Sequence, residues 1–154
     1  MANPSDALTS LDADVRRVVY DSFITGCVSP SMEHVGRKLG KRTTEIKESF
    51  RRLADAHMLV LQPGSGEVLM ANPFSAVPTP FRVEAAGRAW WGNCIWDALG
   101  VSAMAGVDAT ILTSCADCGE AMPLEVKGSE LRPAEGMVHF GVPAAQWWED
   151  IVFT

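Results

Sequence analysis

Within Trp90-Trp91-Gly92-Asn93-Cys94-Ile95-Trp96-Asp97-Ala98-Leu99 a thiol and a carboxylate stand three residues apart among tryptophans. The run predicts a helix over 89–99, and helical residues three apart share a face, so Cys94 and Asp97 come within side-chain reach. A soft nucleophile then sits beside a proton carrier in surroundings that would exclude water. Uncompensated burial raises a carboxyl pKa by as much as several units, so Asp97 could hold a proton near neutral pH and deliver it to a poor leaving group. The same spacing fits a plainer arrangement, with Cys94 as a small buried apolar residue and Asp97 as a hydrogen-bonded polar one.

A second thiol pair is Ser114-Cys115-Ala116-Asp117-Cys118-Gly119-Glu120, a Cys-x-x-Cys at a turn. It supplies half of a four-ligand zinc site, which Cys94, Cys27 or one of His34, His57 and His139 would have to complete. A redox pair would want a helix N-terminus in a βαβ setting, and Gly119-Glu120 points to a knuckle instead. A purely structural role is equally open. No phosphate-binding glycine loop, HExxH helix or Gly-x-Ser-x-Gly elbow is present.

The elements that must hold these groups belong to a chain of 154 residues, 47% hydrophobic and 21% charged, enough to bury a real core in one or two small domains. No basic patch precedes an apolar run near Met1, and no stretch approaches the ~20 apolar residues that span a bilayer. A cytoplasmic protein without a membrane partner is expected. Its four cysteines (Cys27, Cys94, Cys115, Cys118) should then be free thiols. The net charge of -6 is uneven: residues 1–62 carry nine Lys/Arg against eight Asp/Glu, net +1, and residues 63–154 carry four against eleven, net -7. The acidic half is a poor polyanion binder.

Apolar Val15, Val18, Val19 and Phe23 recur with a helical period over 11–25, which Gly26 ends. A second helix fits 31–39, between Pro30 and Gly40. A third begins near Thr43 or Thr44 and runs to about His57 on Ile46, Phe50 and Leu53. Strand, turn and strand follow in 58–61, Pro63-Gly64-Ser65-Gly66 and 67–70. Three helices and a hairpin predict an N-terminal winged helix-turn-helix-like module over 1–71. Its third helix could read DNA, with Arg37, Lys38, Lys41, Arg42, Lys47, Arg51 and Arg52 on phosphates. The prolines of 72–80 predict an extended junction packed through Phe74 and Val77. In 81–154, strands are expected at 81–85, 108–114, 122–127 and 137–142, with a last helical turn or strand after Gln146. The fold class is thus α+β, the second domain built on a small mixed sheet.

Asn72-Pro73-Phe74-Ser75, Phe81-Arg82-Val83-Glu84, Trp91-Gly92-Asn93-Cys94-Ile95-Trp96-Asp97-Ala98-Leu99-Gly100 and Ser114-Cys115 resemble the alkylmercury (organomercurial) lyases. The resemblance spans most of the chain, and it implies a winged-helix-like module joined to an unusual α+β catalytic domain. It further implies that Cys94 binds mercury and Asp97 relays a proton to the departing carbon, with no cofactor and with an external thiol for product release. Mercury prefers thiolate, and two thiolates weaken its bond to carbon more than one. The family takes a second catalytic cysteine from a late segment, whereas 147–154 contains none. Cys115, whose family counterpart is structural, or the extra Cys118 would then supply the second thiolate, or lyase activity is absent. Two other functions are compatible with the residues: a non-catalytic trap in which Cys94, Cys115 and Cys118 hold a soft cation, and a metal-responsive winged-helix regulator on DNA.

Overall fold

The structure, a computed structural model, describes residues 8–133 and 136–152. Helix α1 (Ser10–Gly26) starts at Thr9, whose hydroxyl accepts from the Asp12 backbone N–H while the Asp12 carboxylate accepts from the Thr9 N–H. This reciprocal bonding satisfies two of the donors that a helix start leaves open. Helix α2 (Met32–Leu39) is capped by the Ser31 hydroxyl and closed by Gly40 at φ 65°. Helix α3 (Thr43–Asp55) packs on both. The faces read from the apolar period are the faces buried: Val15, Val19, Val35, Ile46 and Phe50 are inaccessible to solvent.

The expected hairpin is present as β1 (Val60–Leu61) and β2 (Val68–Ala71), paired antiparallel. The junction is more than extended chain, because Phe74–Ser75 forms β3 on the other side of β2. Phe74 is fully buried and stacks on Phe23 at 5.2 Å, whereas Val77 stays 41% exposed. Beyond it, β4 (Arg82–Ala85), β5 (Arg88–Trp91), α4 (Ile95–Ala105), β6 (Ala109–Leu112), β7 (Leu124–Lys127) and β8 (Glu130–Arg132) follow in order. The second sheet runs β5-β4-β6-β7-β8 with every pairing antiparallel, not mixed as expected. Short turns and the α4 crossover return the chain alongside its neighbours in opposite sense.

Two expectations from periodicity fail. The helix placed over 89–99 is in truth a strand, a break and a helix: Ala89-Trp90-Trp91 is aromatic enough for a strand paired to β4, and α4 starts at Ile95. The strand placed at 137–142 does not form. The place beside β7 is taken by β8, whose polar Glu130-Leu131-Arg132 gave no apolar signal, and Met137 is 97% exposed. The chain then turns through a 3-10 helix, Ala144–Glu149.

One contiguous core joins the helices to both sheets, from Val15 through Phe74 to Trp90 and Ile111. At its helical end lies Asp12, fully buried, bonded by the Ser49 hydroxyl and by the Arg52 guanidinium at 2.8 and 2.9 Å. Burial alone would raise this carboxyl. The bonds from Arg52, Ser49 and Thr9 outweigh it and hold Asp12 well below the usual carboxylate range. Arg52 is therefore occupied and leaves the set expected on DNA. Arg37 makes only an exposed 3.9 Å pair with Glu33 in α2, and Arg42, the N-cap of α3, an exposed pair with Glu45. Among the described residues no helix is long and apolar enough to cross a membrane.

Asp12→Ala should cost about 3 kcal/mol in urea unfolding, since it leaves the buried Ser49 hydroxyl and the partly buried Arg52 guanidinium without their acceptor and opens the helix cap at Thr9. A depressed carboxyl contributes its stability above the unfolded pKa and loses it on acidification, so the gap between wild type and variant should narrow as pH falls below about 4. An unchanged urea midpoint at pH 7 would contradict this role.

Candidate functional site around Cys94 and Asp97

Cys94 is the N-cap of α4, in extended backbone at φ -141°, and Asp97 lies in the first helical turn. The Cys94 carbonyl accepts the Ala98 N–H at 2.9 Å, closing that turn. Cap and third helical residue face each other across a helix start, so the side chains meet although Cys94 is outside the helix. The Cys94 Sγ donates to Asp97 Oδ2 at 3.7 Å.

The segment before the cap is tied down from several directions. The Trp90 indole N–H donates to the Phe23 carbonyl at 2.7 Å, the Arg88 guanidinium to the Ile24 carbonyl at 3.2 Å, and the Thr79 hydroxyl to the Gly92 carbonyl at 2.6 Å. Asn93 Nδ2 donates to Asn72 Oδ1 at 3.0 Å, and the Tyr20 hydroxyl donates to the Asn72 carbonyl at 2.9 Å. The sequence signal for Asn72 and Asn93 was their place in the motifs shared with the family; nothing in their spacing assigned them a role. Asn93 Oδ1 is buried and has no hydrogen-bond partner among the described residues.

Cys94 and Asp97 open into a small pocket of about 70 Å³, which Met70, Phe140, Trp147, Ile151 and Val152 line with apolar atoms. The apolar wall thus comes mostly from Met70 of β2 and the C-terminal segment, not from the local tryptophans. Trp90 points into the core, Trp91 lies under the Arg82 guanidinium, and Trp96 lines the pocket while 62% exposed. Burial raises the Asp97 carboxyl above its ordinary value, against hydrogen bonds from Asn93 and Cys94 that favour its charged form. Burial also pushes the Cys94 thiol up. The Asp97 N–H and Trp96 N–H lower it, while the Asp97 charge and hydrogen bond keep its proton on. Both acids are thus shifted up by burial, and the thiol stands where it donates to the carboxyl oxygen.

Cys115 and Cys118 face each other in the loop between β6 and β7 and do not line this pocket. The N–H groups of Cys118 and Asp117 and the Cys118 side chain hold the Cys115 thiol below its usual range. Among the described residues no three Cys, His, Asp or Glu side chains converge as a metal site, so Cys94, Cys115 and Cys118 do not form one thiolate cluster. His57 stacks on Trp148 at 4.0 Å, away from the thiols.

Residues 74–154 match the family model of MerB, the alkylmercury lyase. The chain belongs to the alkylmercury lyase family. The alkylmercury lyase match includes both Cys94 and Asp97 and most of the pocket lining, leaving out Met70 and Asn72, which precede it. Among solved structures, the mercury-bound form of MerB2 has a similar fold, with a TM-score of 0.66 and 21% identity. The alignment covers 83% of this chain and 61% of the MerB2 chain. No curated protein matches the chain.

Replacing Asp97 by Asn removes the charge that helps keep the proton on Cys94 and leaves only a weaker, neutral acceptor, while the helix-start N–H groups stay. The pH midpoint for alkylation of Cys94 by iodoacetamide should therefore move down in Asp97→Asn. A midpoint that stays or rises would show that the carboxyl does not govern the thiol.

Proposed function

We propose that this protein cleaves carbon–mercury bonds by protonolysis, with Cys94 as the mercury-binding thiol and Asp97 as the proton relay. The observation that carries this reading is the 3.7 Å contact of thiol and carboxyl in a pocket with apolar walls. Membership of the alkylmercury lyase family and the mercury-bound state of MerB2 support it.

As the sulfur of Cys94 bonds to the mercury of an organomercurial cation, its proton passes to the Asp97 carboxylate. The substrate is then a neutral thiolate adduct, R–Hg–S, with a carboxylic acid beside it. Asp97 returns the proton to carbon, the carbon–mercury electron pair forms the new C–H bond, and RH leaves with Hg(II) on Cys94. Protonating carbon is the difficult step, and it needs an acid held at the carbon with water kept away. Burial of Asp97 serves both needs. Cys94 is the sole thiol lining the pocket among the described residues, so a small external thiol acts as the second sulfur ligand and carries the ion away. The pocket's size suits a small organometallic substrate.

In this reading residues 1–71 are a winged-helix-like module and 72–80 a junction to the lyase-like domain 81–154. The module's part is mechanical: it supplies Met70 to the pocket wall, next to Asn72 of the junction, and it supplies the Phe23 carbonyl that seats Trp90. Of the seven cations expected on DNA, Arg52 is held by the buried Asp12 carboxylate.

With phenylmercury and excess small thiol, the wild type should release benzene over many turnovers. Asp97→Asn should retain phenylmercury but release benzene slower by roughly 10²–10⁴-fold, the usual worth of a positioned acid. Cys94→Ser should lose benzene release, whatever organomercury its remaining thiols hold. Full turnover in either variant would remove this mechanism, and stoichiometric mercury uptake by the wild type without benzene would make the protein a non-catalytic trap.

A further inference from the structure

The Cys115/Cys118 turn plays no part in the chemistry above, yet it is built with care. Its base is clamped by the bridge between Ser114 and Ala121 and by the Cys115 N–H to Glu120 carbonyl bond at 2.8 Å. The turn is closed by the Gly119 N–H on the Cys115 carbonyl at 2.9 Å, with Gly119 at φ 75°, a conformation that favours glycine. The two thiols stand three residues apart on this one closed turn, Cys118 exposed and Cys115 partly so. Asp117 and Glu120 add negative charge to the same loop.

We infer that Cys115 and Cys118 form a second metal site, separate from the Cys94 pocket, that takes a soft closed-shell cation such as Hg(II) between two thiolates. Zinc does not fit, because a structural zinc wants four ligands and no third Cys, His, Asp or Glu side chain joins the pair among the described residues. A soft cation content with two sulfur ligands fits the donor set. Binding forms two sulfur–metal bonds and sends two thiol protons to solvent, with no change of oxidation state. Both sulfurs belong to one short turn, so once the first bond forms the second thiol acts at an effective concentration at least on the order of millimolar. At monothiol concentrations well below that value, the pair holds the ion far better than a single thiol does. The site stands whether or not Cys94 and Asp97 perform protonolysis.

The test uses the full chain with Cys27→Ser and Cys94→Ser, which leaves Cys115 and Cys118 as its thiols. The reduced protein is loaded with one equivalent of mercuric chloride, equilibrated with 2-mercaptoethanol well below a millimolar, passed once and quickly through a desalting column, and assayed for mercury. About one ion per chain should remain. Adding Cys118→Ser, or separately Cys115→Ser, should cut retention at least tenfold, and Zn(II) loaded in the same way should be lost. Cys118 is exposed, so its replacement leaves the fold intact. Complete loss of mercury from the background variant, or equal retention after Cys118→Ser, would overturn the site.

Discussion

A Cβ at residue 92 would lie 2.6 Å from the backbone nitrogen of Ala98 and 2.8 Å from its Cα, closer than real contacts allow, so α4 can start where it does because Gly92 has no side chain. This close approach lets the chain leave β5, pass through Asn93 and cap α4 with Cys94 in a few residues. The thiol is placed outside the helix and the carboxyl inside it, both aimed at one point. Burial and helix-start N–H groups then act on the pair in opposite directions. A fully helical 89–99 would have given the same sequence neighbours, but it would have lacked a strand edge clamped by Phe23, Thr79 and Phe74 to fix where the pair points.

Much of the fold was legible because its signals are local. The apolar periods of α1 and α3 gave their buried faces, Gly40 gave the end of α2, and the Pro63 to Gly66 turn gave the break between β1 and β2. The errors share a cause, which is that strand identity is set by partners. Trp90 and Trp91 suit a strand or a buried helix alike until β4 lies beside them. Phe74-Ser75 is too short to signal a strand, and β8 is too polar. The Cys94/Asp97 pairing was legible despite the wrong element, because a cap and its third helical residue meet much as helical neighbours do. The apolar wall was not legible, since Phe140, Trp147, Ile151 and Val152 reach the pocket from some fifty residues along the chain.

The two thiol sites differ in the physics that governs them. Cys94 is desolvated and shares its proton with a carboxyl, which suits a group that must release a proton only as a metal–sulfur bond forms. Cys115 is solvated and favoured as thiolate by nearby N–H groups, which suits capture without chemistry. In the proposed reading, the fold keeps the Cys94 pocket, where a bond would be broken, apart from the Cys115/Cys118 turn, where an ion would be held. It achieves this with one core that ties the N-terminal helices to the α4 cap.

The most direct test is a crystal structure of Asp97→Asn with phenylmercury, in which slowed protonolysis should trap the adduct. The account predicts mercury bonded to the Cys94 Sγ with the phenyl group still attached, its carbon facing the side chain at residue 97 and its ring against Phe140, Trp147 and Val152. Mercury absent from Cys94 and found on Cys115 and Cys118 alone, or a phenyl carbon turned away from residue 97, would contradict it.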